Sequence, residues 1–153
     1  MPTTTPALIA DSATSGFRQG TIERRDLRPD DIRIAIAFAG ICHSDIAAIA
    51  SGGIEGPASL GHEAAGIVVE SRDDGIEVGA RVVAYVGDAY ASHVDAPADR
   101  IVLLDDDCSM LDGALAEPVA ATDGTAGPIV VKRGQTPKKG RPTRTREQAE
   151  TER

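Results

Sequence analysis

The 153-residue sequence predicts a mainly β fold with short helices, arranged as a small barrel. Three observations carry this. Period-two patterning is sharpest over residues 31–39, where Ile32, Ile34, Ile36 and Phe38 alternate with Arg33 and alanines, so one strand face is wholly apolar. Four further short β-type runs follow, separated by Gly, Asp and Pro. No GxGxxG turn follows any of them, so a Rossmann domain is expected to be absent.

Residues 1–31 are rich in Thr, Asp and Arg and only weakly patterned, and 1–24 are read as an amino-terminal segment ahead of a domain spanning 25–121. Gly40 ends the first strand. A short helix is expected over 44–50, stopped by Gly52-Gly53. After a loop closed by Pro57, residues 64–70 read as the second strand and 81–86 as the third. Residues 90–94 and 100–104 read as two more, parted by the turn Ala96-Pro97-Ala98-Asp99. Ser109 is placed to cap a helix running through Leu111, Leu115 and Val119, with Pro118 disturbing its last turn.

The length suits one domain with a genuine core. With two Phe, two Tyr and no Trp, that core must be Ile, Val, Leu and Ala. No apolar run approaches the roughly 18 residues of a membrane span, and the first residues lack a signal pattern. Two cysteines are too few for a disulfide framework, so a reducing, cytoplasmic setting is expected. The net charge of −8 is uneven: residues 132–153 hold eight Lys or Arg against three Glu, and the rest hold eight Arg against 21 acids. An acidic body repels nucleic acid and anionic membranes, so neither is expected as a partner. Residues 132–153 contain no Leu, Ile, Val, Phe or Tyr, and 122–153 are read as a disordered basic tail.

Three blocks carry candidate chemistry: Gly40-Ile41-Cys42-His43-Ser44-Asp45, Leu60-Gly61-His62-Glu63-Ala64-Ala65-Gly66, and Leu115-Ala116-Glu117-Pro118-Val119. A catalytic zinc takes three protein ligands from Cys, His and Asp or Glu and keeps one open position. Cys42, His62 and Glu117 supply one of each, although their spacing matches no zinc-finger pattern. A buried structural thiol is the competing reading of Cys42, and a solvated side chain that of Glu117. Cys108 reads as a small hydrophobe, His93 as a surface or pairing residue, and Asp105-Asp106-Asp107 as a solvated turn.

The stretch from Gly40 through Val86, with GICHSD and GHEAAG as its most specific parts, resembles the amino-terminal GroES-like domain of zinc-dependent medium-chain alcohol dehydrogenases. The resemblance reaches the GALAEPVA segment and is nearest the sorbitol and threonine dehydrogenase-like branch. It implies that Cys42, His62 and Glu117 hold a catalytic zinc and that Glu63 stands close to the metal. It implies that Asp45 orients His62, that Ser44 passes on the substrate hydroxyl's proton, and that His43 faces the cofactor phosphates. Two departures matter. Ala48 stands where the family's relay often ends in His, and the four-cysteine lobe of a structural zinc is missing, so one zinc is the expected maximum.

Read as a family member truncated before its Rossmann domain, the chain is expected to bind zinc without being a competent NAD(P)-dependent dehydrogenase alone. NAD(P) would enter only if a separate chain supplied that domain. The substrate would be a small alcohol or polyol, and the exposed domain face would meet a second copy or another protein. Two alternatives stand beside this: a zinc enzyme working without nicotinamide, such as a lyase, hydrolase or cyclase, and a non-enzymatic partner-binding module.

Overall fold

The computed structural model describes residues 3–11, 16–54 and 56–115. Along them run β1 (Thr3–Asp11), β2 (Gly16–Arg24), β3 (Asp31–Ala39), α1 (His43–Ala50), β4 (Ala58–Ser59) and β5 (Glu63–Ser71). Then come β6 (Arg81–Tyr85), β7 (His93–Pro97), a 3-10 turn (Ala98–Arg100), β8 (Ile101–Leu103) and α2 (Met110–Gly113). The strands form two antiparallel sheets, ordered β2-β1-β4 and β7-β3-β5-β6-β8. A seam joins them. The Leu8 N–H donates to the Tyr90 carbonyl at 2.7 Å, and the Ser92 N–H to the Pro6 carbonyl at 2.8 Å. From the other side, the Ile36 N–H donates to the Ser92 carbonyl at 2.9 Å. The sheet therefore curls into a half-barrel, as the sequence predicts.

The barrel interior is aliphatic. Ile32, Ile34, Val68, Val82, Val94 and Ile101 are its largest fully buried side chains. On the opposite face of the same sheet, Ala65 and Val83 pack with Ala114, Met110 and Leu104. The start of β5 is thus covered on both sides, which is why it reads Ala64-Ala65-Gly66. Only small residues leave room for β3 on one side and α2 on the other.

The register of the central strand is locked from outside the barrel. Arg33 lies directly across from Asp95 on β7 and Glu70 on β5. Its guanidinium donates to both Asp95 carboxylate oxygens, at 2.7 and 3.1 Å, and to Glu70 Oε2 at 3.3 Å. The hydrogen bond to Asp95 raises the Arg33 pKa further. A slip by one residue would break this fork and expose the isoleucine face.

Several elements differ from the sequence reading. Residues 3–24 are largely a paired hairpin, with Thr3 opposite Arg24 through to Asp11 opposite Gly16, where only weak patterning is legible. The fourth strand lies at His93–Pro97 rather than 90–94, because 90–92 form the seam. Pro97 is accommodated because β7 is an edge strand. Phe38, read as part of the apolar face, is 44% exposed, because a register shift between Ile36 and Phe38 re-aims the strand end. Ser109 does cap α2, accepting from the Asp112 N–H at 3.0 Å, but α2 ends at Gly113. Val119 and Pro118 lie outside the described residues. The acidic 105–107 turn is exposed, and Arg81 donates to the carbonyls of Asp105 and Cys108 that bracket it.

Candidate functional site

Cys42 closes the link from β3 to α1. Its backbone is extended (φ −92°, ψ 147°), it occupies the N-cap position, and its half-buried thiol makes no capping hydrogen bond. The helix then turns back beneath it, with the Asp45 N–H donating to the Cys42 carbonyl at 3.2 Å. Asp45 and Ile49, four residues apart, form the buried face of α1, while His43, Ser44 and Ile46 are exposed. An aspartate on an inward helix face needs partners.

Those partners come from two distant segments. The Tyr90 hydroxyl donates to Asp45 Oδ2 at 2.7 Å. His62 Nδ1 lies 3.8 Å from the same oxygen, within ion-pair range and beyond a hydrogen bond. Burial first, then the bond to the Asp45 carboxylate, pushes the Tyr90 phenol far above the usual tyrosine range. At neutral pH it is therefore a protonated donor. The edge of the His62 ring meets Tyr85, with centroids 5.9 Å apart at 67°.

The chain segments bearing His62 and Tyr90 are stapled together by their backbones. The Tyr90 N–H donates to the Leu60 carbonyl at 2.9 Å, Ala89 to Gly61 at 3.2 Å and Val86 to His62 at 3.0 Å. Gly61 makes this approach feasible. Its φ is +88°, and a Cβ there would fall 2.7 and 2.8 Å from two Tyr90 ring carbons. Gly61→Ala is expected to destabilise the fold by about 1–3 kcal/mol through strained backbone and displaced ring. Urea unfolding of the variant checks this, and an unchanged midpoint would contradict it.

Glu63, the first residue of β5, is 3% exposed. Its Oε2 lies 2.9 Å from where a Cβ on Gly40 would stand, and the Ala114 carbonyl lies 3.1 Å from that same point. A glycine two residues before Cys42 thus lets a buried carboxylate tuck beneath the end of β3.

The structure therefore brings Asp45 and His62 together, with Cys42 one helical turn from Asp45 and Glu63 following His62. Ser44 and His43 sit on the open side of α1. Glu117 lies outside the described residues. Among the described residues, no three His, Cys, Asp or Glu side chains converge as a metal-holding group. Ile41, flanking Cys42, is 75% exposed and Ile46 50%, so the open side is rimmed by apolar groups. His93, on β7, has Nδ1 3.3 Å from Thr5 Oγ1, a pairing role as read. No helix among the described residues is long and apolar enough to cross a membrane.

Tyr90 is the residue that sequence reasoning misses as a site component, since it reads only as the start of a strand. A tyrosine flanked by alanines in an aromatic-poor chain is a weak signal of a buried hydroxyl needing a partner. The partner's identity, 45 residues away, is not legible from local pattern.

Comparison with known proteins agrees with this fold. Residues 28–130 match the alcohol dehydrogenase GroES-like domain. The chain is 46% identical over 82 residues to "Probable formaldehyde dehydrogenase AdhA" of Bacillus subtilis (strain 168), covering 51% of this chain and 24% of that protein. It is 44% identical over 88 residues to "NADP-dependent alcohol dehydrogenase C 1" of Mycolicibacterium smegmatis, covering 56% and 23% respectively. These alignments span about a quarter of each relative's length. Among solved structures, that of CAD from Helicobacter pylori complexed with NADP(H) superposes with a TM-score of 0.72. Identity there is 21%, over 82% of this chain and 48% of that one.

Proposed function

Because the chain belongs to the alcohol dehydrogenase GroES-like domain family, we propose that Cys42 and His62, completed by Glu117, form the zinc site of an alcohol-oxidising or aldehyde-reducing domain. The observation that supports this most is the Asp45 carboxylate beside His62 Nδ1. A metal-binding histidine almost always has its second nitrogen engaged by a carboxylate, carbonyl or water, which fixes its tautomer. The donor chemistry also fits. A thiol and an imidazole suit zinc, and a carboxylate ligand completes the three-ligand catalytic type.

When bound, zinc would act as a Lewis acid on the substrate oxygen. The protein's part is positioning. Asp45 lies beside His62 Nδ1, placed to orient the imidazole so that its other nitrogen would be left for the metal. Ser44, exposed one residue before Asp45, is the group that takes up the hydroxyl proton of an alcohol. Ile41 and Ile46 supply an apolar rim that excludes water from the reacting carbon. Glu63, buried directly after His62, places a second carboxyl group close to the site. His43, exposed at the start of α1, would meet the phosphates of a nicotinamide cofactor if a separate chain supplied the domain that holds it. The substrate is a small alcohol or the corresponding aldehyde, in keeping with the names of the relatives, and a nicotinamide cofactor, when bound, would supply the hydride acceptor or donor.

The 153 residues alone are expected to bind one zinc and to leave NAD⁺ and NADP⁺ unreduced with an alcohol panel. A native mass spectrum of the full chain, followed by the assay, checks both. A zinc-free chain from zinc-supplemented medium would overturn the site, and robust turnover by the pure chain would overturn the division of labour.

A further inference from the structure

We propose that the Tyr90 hydroxyl is a positioning group of the metal site, holding Asp45 so that its carboxylate can orient His62; this rests on the zinc reading above. The geometry is a relay of contacts from the barrel seam to the histidine. Tyr90 Oη donates to Asp45 Oδ2 at 2.7 Å, and that oxygen is the one facing His62 Nδ1 at 3.8 Å. The tyrosine bond thus fixes the very carboxylate oxygen that stands within ion-pair range of the imidazole.

Three independent contacts fix Tyr90 itself. Its carbonyl accepts from Leu8 on β1, its N–H donates to Leu60, and its ring meets the edge of Phe17 on β2 with centroids 5.7 Å apart at 79°. Two carbons of the ring also border the space that Gly61 leaves empty, directly before His62 in the chain. Tyr90 therefore ties the amino-terminal hairpin, the 60–62 segment and α1 to one point. Asp45 sits on the first turn of an eight-residue helix and would otherwise rotate with it. With the hydroxyl in place, the carboxylate stays where the imidazole needs it, at low conformational cost.

The test is Tyr90→Phe in the full chain, which keeps the ring against Gly61 and Phe17 and removes only the donor. Zinc affinity, measured by competition with a chromophoric chelator, is expected to fall about tenfold, the low end for outer partners of metal ligands. The visible spectrum of the cobalt-substituted chain is expected to change, since the histidine would be less tightly oriented. In an Asp45→Ala background, where no carboxylate remains to be held, Tyr90→Phe should cause no further loss. Equal affinity and spectra for the wild type and Tyr90→Phe would overturn the proposal, as would additive losses in the double variant. Should Tyr90→Phe fail to fold, Asp45→Leu removes the acceptor end of the same bond with a side chain of similar shape, and unchanged zinc affinity there would overturn the proposal equally. A wild-type chain that binds no zinc would instead overturn the reading of the site itself, which separates the two failures.

Discussion

Cys42→Ser and His62→Ala are each expected to lower the zinc affinity of the full chain at least about a hundredfold, more than the loss of an outer partner, whereas Cys108→Ser leaves it unchanged. The contrast between the cysteines follows from where they sit. Cys42 caps α1 with a thiol free of capping bonds, one turn from the Asp45 that faces His62. Cys108 lies beyond β8, where its thiol donates to the neighbouring Ser109 carbonyl, at 3.6 Å. The same variants should lose the zinc-dependent rise in melting temperature of the wild type. A ligand that binds only the native state at a hundred times its dissociation constant adds about 2.7 kcal/mol of stability. Zinc titration by calorimetry with parallel melting curves measures both effects. Retained affinity in Cys42→Ser together with loss in Cys108→Ser would reverse the assignment.

Gly66→Val is expected to be the most damaging single change to the fold, costing about 3–5 kcal/mol and leaving little folded protein at 37 °C. Gly66 pairs with Ile36 in the centre of the five-stranded sheet. A Cβ there would run into the Ala35 carbonyl and stand 2.8 Å from Ile34 Cγ2. Backbone cannot move aside as a flexible side chain can, and Ile34 is fully buried. Either β3 and β5 separate or the core beneath them opens. Circular dichroism with a thermal scan decides this, and a melting temperature near that of the wild type would contradict the packing described for β5. Zinc would not rescue Gly66→Val fully, because the lesion is in the barrel rather than at the ligands.

The parts of the fold legible in the sequence are those where one residue type repeats against a constant neighbour. The alternation of isoleucines gives β3 because that strand lies between β7 and β5 with one face in the core. The helix read over 44–50 is observed one residue longer at its start, at His43–Ala50. The strands read over 64–70 and 81–86 are observed as Glu63–Ser71 and Arg81–Tyr85. The amino-terminal hairpin escapes because three of its buried positions, Thr5, Ala7 and Ala10, are small or polar, leaving Ile9 as the one large aliphatic among them, and Pro6 interrupts them. That proline still joins the seam through its carbonyl, which accepts from the Ser92 N–H at 2.8 Å and needs no N–H of its own.

For the site, the CHSD and GHE blocks are legible as resemblance, and the structure adds the contact between Asp45 and His62. Tyr90 is hidden because its role is set by two long-range meetings, with Asp45 and with Gly61, that no periodicity encodes. Glu63 is legible through the resemblance, as a group close to the metal, but its burial is not. Its near-complete burial depends on Gly40 and on the approach of Ala114, which come from opposite ends of the domain.

The most direct measurement of the central claim is zinc K-edge X-ray absorption of the zinc-loaded full chain. One sulfur at about 2.3 Å, with the other scatterers nitrogen or oxygen at about 2.0–2.2 Å, is the shell expected of Cys42, His62, Glu117 and one open position. A shell without sulfur, or one with two sulfurs drawing in Cys108, would contradict it.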